Sequence, residues 1–346
     1  MRPLPSRTQR SAVGFAVAAL VLVVFVGFVG FDGVAAELAG ASLSVYAAGV
    51  VAAVLAVGCW SEGVRWLAHE SVARPGYRRA YYAGEFFKLV IPLGQAAGPA
   101  FVAYTVSRRT DADYETVLAA TTVAEVFNIL AAVLTGTLAL AVLAAAQPSP
   151  VLVALAAGLG VTLLALLAAV AVAVYRRQTV ERATVWAAGL LARILGRIRG
   201  EPPALLQPAA VHERVERYYR TVGAVPRRRL AVLAGFSLSG WLLFLVPAYA
   251  SFLAIGANVS PLLLAAAVPA VGFVNVVPLP GGLGGFEAGL AAVLVAVGNV
   301  GLETATAGVL LYRVAAYWVL LVVCGLAAGS LSVSLRDPPG VEDLDP

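Results

Sequence analysis

Six stretches of this chain are predominantly apolar over the length of a bilayer crossing: residues 11–31, 41–64, 115–146, 151–174, 230–255 and 303–335. A helix needs about 20 residues to cross the hydrocarbon core. None of the stretches alternates with period two, which excludes a strand barrel. Two further apolar segments are interrupted. Residues 81–106 carry Glu85 and Lys88 and break at Pro92-Leu93-Gly94. Residues 261–300 contain Val277-Pro278-Leu279-Pro280-Gly281-Gly282-Leu283-Gly284-Gly285-Phe286-Glu287. Proline removes a backbone donor and glycine permits positive φ, so neither run continues as a plain helix. In lipid, freed backbone groups persist only where protein or a wet cavity surrounds them. The pattern therefore predicts an all-α polytopic membrane protein. It has about six full transmembrane helices and two broken, re-entrant helical hairpins, centred on Pro92 and Pro280.

Charge then orients these elements. Arginines collect at Arg2, Arg7 and Arg10, at Arg65, Arg74, Arg78 and Arg79, and at Arg108 and Arg109. Between positions 176 and 228 there are eleven arginines against four glutamates. Basic residues mark cytoplasmic loops, which predicts a multi-pass cell-membrane protein with both termini in the cytoplasm. The first hairpin then opens to the cytoplasm and the second to the outside. Pro92 and Pro280 lie 188 positions apart (280 − 92), and the same offset pairs Gly94 with Gly282, Glu115 with Glu303 and Glu125 with Arg313. Each unit reads helix, broken hairpin, helix, an inverted-topology repeat of the kind that places substrate near the midplane of secondary transporters. The expected organisation is one transmembrane domain over residues 1–335. It has repeat units at 41–146 and 229–335, a basic cytoplasmic loop at 175–228, and a disordered acidic tail at 336–346. Within the loop, Val185, Trp186, Leu190, Leu191, Ile194, Leu195 and Ile198 recur at helical spacing opposite Arg182, Arg193 and Arg197. This pattern reads as an interfacial helix on an anionic leaflet; the alternative is a basic loop that only fixes orientation. The net charge of +5 is accounted for by these loops and implies no nucleic-acid partner.

A few residues within the apolar segments can carry chemistry. Glu125 and Arg313 fall about ten residues into their helices, near mid-membrane, where lone charges are paired or line a cavity. They are expected to face each other or a shared cavity. Glu287 follows the second break, near a half-helix N-terminus that favours negative charge. It serves either as helix-end stabilisation or as a titratable group coupling transport to protons. Glu85 is the other intramembrane carboxylate. Lys88 binds an anionic headgroup or snorkels to the interface. The amides freed at Pro92, Gly94, Pro280, Gly281, Gly282 and Gly284 can contact phosphate, although no Gly-Lys-Ser/Thr follows to make a nucleotide loop. Enzyme readings fare poorly: His69 and His212 are the only histidines, Cys59 and Cys324 form no motif, and no histidine follows Ser239 to act as its base. No cofactor, metal or catalytic residue is expected.

The two broken segments together resemble a known family. Gly84-Glu85-Phe86-Phe87, Pro92-Leu93-Gly94 and Ser107-Arg108-Arg109 are similar to its first half. Pro280-Gly281-Gly282-Leu283-Gly284 with Glu287, then Leu311-Tyr312-Arg313, are similar to its second. It is the lysylphosphatidylglycerol synthase transmembrane-region family, or flippase-like domain proteins, and the resemblance covers residues 11–335. The chain departs from the usual family pattern at Glu125-Val126, Asn128 and Ala97-Gly98. The resemblance implies translocation of a phospholipid or polyprenyl-phosphate sugar across the bilayer, with membrane lipids as partners. In relatives the domain is fused to an aminoacyl-lipid synthase or a glycosyltransferase, and this chain is expected to be the membrane part alone. The alternative function is a non-transporting membrane partner of a glycosyltransferase or lipid-modifying enzyme in cell-envelope biogenesis.

Overall fold

A computed structural model describes residues 30–68, 76–91, 94–146, 150–199, 208–272 and 280–331. Every regular element among them is helical. The chain runs α1 (Phe31–Ala39), α2 (Leu43–Ala68), α3 (Tyr77–Val90), α4 (Gly94–Ser107), α5 (Tyr114–Ala146), α6 (Pro150–Tyr175), α7 (Arg177–Arg199), α8 (Pro208–Gly223), α9 (Arg227–Ala254), α10 (Pro261–Gly272), a 3₁₀ turn (Pro280–Gly282), α11 (Gly285–Gly298), α12 (Leu302–Arg313), a π-helical turn (Val314–Val319) and α13 (Leu320–Ser330). Five rods are long and apolar enough to cross a membrane: α2, α5, α6, α9 and the 29-residue run Leu302–Ser330. They match five of the six predicted spans. The first predicted span, Pro92, the apex before Pro280 and the acidic tail lie outside the described residues.

Both interrupted segments fold as pairs of short helices. Helices α3, α4 and α11 have 14 residues and α10 has 12. At 1.5 Å per residue these limbs are about 18–21 Å long, well short of a hydrocarbon core of about 30 Å. Helix α3 ends at Val90, and its cap Ile91 is already extended (φ −85°, ψ 132°). The limbs then touch at the backbone. A Cβ on Gly84 would sit 2.5 Å from the Val102 Cα, so only glycine lets α3 and α4 close this far.

Packing is reciprocal between the halves. Helix α2 lies along α9, α3 of the first hairpin packs on α13, and α10 of the second packs on α5. Outside this core the helices present apolar side chains to their surroundings. On α6, Val161 is 65% and Leu164 67% exposed, a patch that lipid, not water, would cover. This is a multi-pass helical membrane protein.

The two ends differ in character. At the basic end Glu62 bridges Arg65 and Arg78, both at 2.7 Å, joining α2 to α3. Here α7 and α8 form the region predicted as a basic loop. They are tied to the bundle by Tyr219, which donates to the Ala173 carbonyl at 2.9 Å, and by Arg217, which pairs with Glu115. Trp186 and Leu190 of α7 remain exposed. At the opposite end Thr304, in the first turn of α12, donates to Glu37 of α1 at 2.7 Å.

Candidate functional site

Arg313 closes α12 and is only 8% exposed. Its Nε donates to Glu287 Oε1 at 2.6 Å and its Nη2 to the Gly281 carbonyl at 2.6 Å. The guanidinium is sandwiched between the rings of Phe286 and Tyr317, 4.9 and 4.8 Å from their centroids, a geometry that favours a desolvated cation. Glu287 is fully buried and stands in the first turn of α11, where its second oxygen accepts the Gly284 N–H. The carboxylate therefore caps α11, neutralises Arg313 and tethers the 3₁₀ turn through that arginine. Pro280 opens this turn and Gly282 is buried in it. Gly281 has φ 58°, and a Cβ there would fall 2.1 Å from the Tyr317 ring. Both its backbone and its surroundings exclude a side chain. Tyr317 sits in the π-helical turn directly after Arg313; such turns are frequent at functional sites.

The first hairpin carries a second charged cluster. Lys88 Nζ lies 3.1 and 3.3 Å from the two oxygens of Glu125 on α5, and 3.8 Å from Glu85 one turn back on α3. The Lys88 side chain runs over the start of α4. A Cβ on Gly98 would meet the Lys88 Cδ at 2.8 Å, and one on buried Gly94 would meet the Lys88 carbonyl at 2.1 Å. Glycine at 98 leaves room for the lysine stem, and glycine at 94 lets α4 begin against the backbone at the end of α3. Lys88 is committed to two carboxylates.

Helix α3 of the first hairpin meets the 3₁₀ turn of the second. The Tyr317 hydroxyl donates to the Leu89 carbonyl at 3.1 Å, and Leu283 packs with Tyr317, Leu89 and Leu321. Beside this contact is a cavity of about 550 Å³. Both clusters line it: Glu85, Lys88 and Glu125 on one side, Arg313 and Gly281 on the other. Glu125 and Arg313 thus share the cavity without pairing, since each has its own partner. Aromatic rings form much of the remaining wall, with Trp60 and Trp241 each against Phe244, and Phe244 against Tyr312. Asn128 Oδ1 also belongs to the lining residues, is buried, and has no partner among the described residues.

Sequence reasoning did not select Phe286, Tyr317, Trp60, Trp241 or Asn128. Two of them had a usable signal: Tyr317 lies four residues after Arg313 and Asn128 three after Glu125, one helical turn in each case. No group of three or more potential metal ligands occurs among the described residues.

Fold and site define a polytopic helical membrane protein with a charged cavity where two broken hairpins meet. The chain belongs to the family described as lysylphosphatidylglycerol synthase TM region, whose model matches residues 11–324. Membership makes it a membrane domain related to lipid handling. No curated protein matches the sequence.

Proposed function

We propose that the chain translocates a lipid or lipid-linked headgroup across the cell membrane, with the headgroup held in the cavity between the hairpin tips. The observation that carries this reading is the cavity itself. It combines headgroup-sized volume, buried charges and aromatic walls within a bundle whose outer faces are apolar. Pockets of about 300–1,000 Å³ with a few convergent polar groups are typical of small-ligand sites.

The reciprocal packing of α3 on α13 and α10 on α5 supports reading the halves as an inverted repeat, with two re-entrant hairpins entering from opposite faces. In such proteins, alternating access comes from rocking one unit against the other around a fixed midplane site. The basic end then faces the cytoplasm with both termini, and the exposed Trp186 and Leu190 of α7 rest in the anionic leaflet. The reading assigns no covalent chemistry to the chain and makes membrane lipids its partners.

The test is the sidedness of labelled lipid in vesicles containing only this protein, offered one headgroup-labelled phospholipid and one polyprenyl-phosphate sugar. The expected result is that one of them equilibrates between leaflets in protein-containing but not empty vesicles. If both stay in the leaflet where they were placed, while the protein copurifies with a glycosyltransferase or lipid-modifying enzyme, the non-transporting role is correct instead.

A further inference from the structure

Each of the four charged residues that line the cavity among the described residues already has a charged partner. Lys88 lies 3.1 Å from Glu125 and 3.8 Å from Glu85, and Arg313 holds Glu287 at 2.6 Å. Three neutral polar atoms are not paired. The indole Nε1 of Trp60, that of Trp241 and the Oδ1 of Asn128 are buried, belong to lining residues and have no partner among the described residues. Native proteins pair nearly all buried polar groups, because an unpaired one carries its full desolvation cost. We propose that these three atoms are the recognition set for an uncharged, hydroxyl-rich headgroup, a glycosyl or glycerol unit on its lipid carrier. This names the substrate class of the transport reading above and rests on that reading for the movement of the lipid, but not for its binding.

The donor and acceptor roles choose the chemistry. An indole N–H only donates and an amide oxygen only accepts. A phosphodiester can take the two indole protons, but it has no proton for Asn128 and would sit beside Glu85 and Glu125 with both lining cations already committed. An ammonium can donate to Asn128 and to the carboxylates, but it leaves both indoles unpaired. A hydroxyl both donates and accepts, so a set of hydroxyls answers all three atoms. Any hydroxyl left over finds a further acceptor in the oxygens of Glu85 or Glu125. The walls fit the same ligand. The rings of Trp60, Trp241, Phe244 and Tyr312 line the cavity in mutual contact, and their negative faces suit the slightly positive C–H groups of a polyol.

The set is assembled from three helices: Trp60 from α2, Asn128 from α5 and Trp241 from α9. Trp60 and Trp241 pack on the same ring, with centroids 5.4 and 5.9 Å from that of Phe244. The Trp60 Nε1 lies against Gly240 of α9, where a Cβ would fall 2.5 Å from it, so glycine makes room for the indole edge. Asn128 follows Glu125 by one helical turn, which puts the neutral acceptor beside the charged one. Each of the three atoms is covered by protein. Engaging a ligand therefore turns the side chain toward the cavity, and the hydrogen bond gained there offsets the movement. The same turn makes the two indoles reporters of binding.

Tryptophan fluorescence tests the assignment without reference to transport. Of the five tryptophans, Trp66, Trp186 and Trp318 are exposed; replacing these three with Phe in the full chain leaves emission from Trp60 and Trp241 alone. The protein is held in phosphatidylcholine nanodiscs and offered polyprenyl-phosphate hexose, phosphatidylglycerol, phosphatidylethanolamine or bare polyprenyl phosphate. Emission should shift with the first, the second or both, which identifies the source of the hydroxyls, and stay unchanged with the last two. Trp60→Phe and Trp241→Phe keep a ring and lose the N–H; each should weaken binding about 3- to 10-fold. Asn128→Leu should weaken it by a similar factor while the protein melts at the wild-type temperature or above, since an unpaired buried group has been removed. An equal response to all four lipids, a response to phosphatidylethanolamine or polyprenyl phosphate alone, or no response to any overturns the proposal. So does an Asn128→Leu protein that melts lower and binds as before. In vesicles, binding of a hydroxylated lipid without its movement defeats the transport reading and leaves the site standing. Movement of phosphatidylethanolamine while both hydroxylated lipids stay put defeats the substrate class and leaves transport standing.

Discussion

Glu125 and Arg313 occupy matching places in the two halves, each about a dozen residues into a long helix beside a broken hairpin. Their surroundings are very different. Arg313 is closed in by two rings, a carboxylate and a carbonyl. Glu125 shares an ammonium with a second carboxylate at the edge of a cavity. A saturated ion pair holds structure in place, because any change leaves a bare charge in a weak dielectric. The difference separates a one-to-one buried pair at the second hairpin from an ammonium shared by two carboxylates at the first.

Variants should separate these sides. The largest effect is expected from Glu287→Ala, which strands Arg313: removing one partner of a buried pair destabilises by about 3–5 kcal/mol. Denaturant titration of the detergent-solubilised protein measures it, and replacing both partners with apolar residues should recover most of the loss. A double-mutant cycle on Glu287 and Arg313 should show strong coupling, whereas one on Glu125 and Arg313 should be close to additive. Strong coupling in the second cycle would erase the distinction drawn here. Next in size is Lys88→Met, which leaves two carboxylates facing each other. Since these groups are partly exposed, about 2 kcal/mol is expected, and the loss should shrink as pH falls and one carboxylate is neutralised. Tyr317→Phe removes the hydroxyl bond to the Leu89 carbonyl and should destabilise by about 1 kcal/mol. In hydrogen exchange the amides around Leu89 should then open more readily, while those near Arg313, still stacked on a ring, stay protected. The smallest change is expected for Glu125→Gln, within about 1 kcal/mol of wild type, because Glu85 still neutralises Lys88. A large destabilisation there would mean that Glu125 is structural after all.

Much of the fold was legible because the bilayer imposes coarse rules on sequence. Apolar length sets the spans, as seen in the agreement of α2, α5, α6, α9 and Leu302–Ser330 with the predicted runs. Proline and glycine mark where helices must stop, as at Val90 and again before Gly285. The intramembrane charges were conspicuous for the same reason, since so few occur in segments this apolar.

Which charge meets which could not be read from the chain. Glu125 and Arg313 stood out as matching opposite charges, yet Lys88 claims the first and Glu287 the second. That choice depends on how α3 is held by α4 and α13 and how the 3₁₀ turn bends beneath Arg313, distances of a few ångströms set by packing. The same is true of Tyr317, which reaches the end of the first hairpin only because the π-helical turn aims it at Leu89. Sequence thus determined the spans, the breaks and the short list of costly residues, since these follow from solubility in lipid and from local backbone chemistry. The pairing of the charges, the cavity between them and the sharing of Lys88 by two carboxylates were decided by tertiary contact, because Coulomb energy and hydrogen bonding depend on separations that only the assembled bundle fixes.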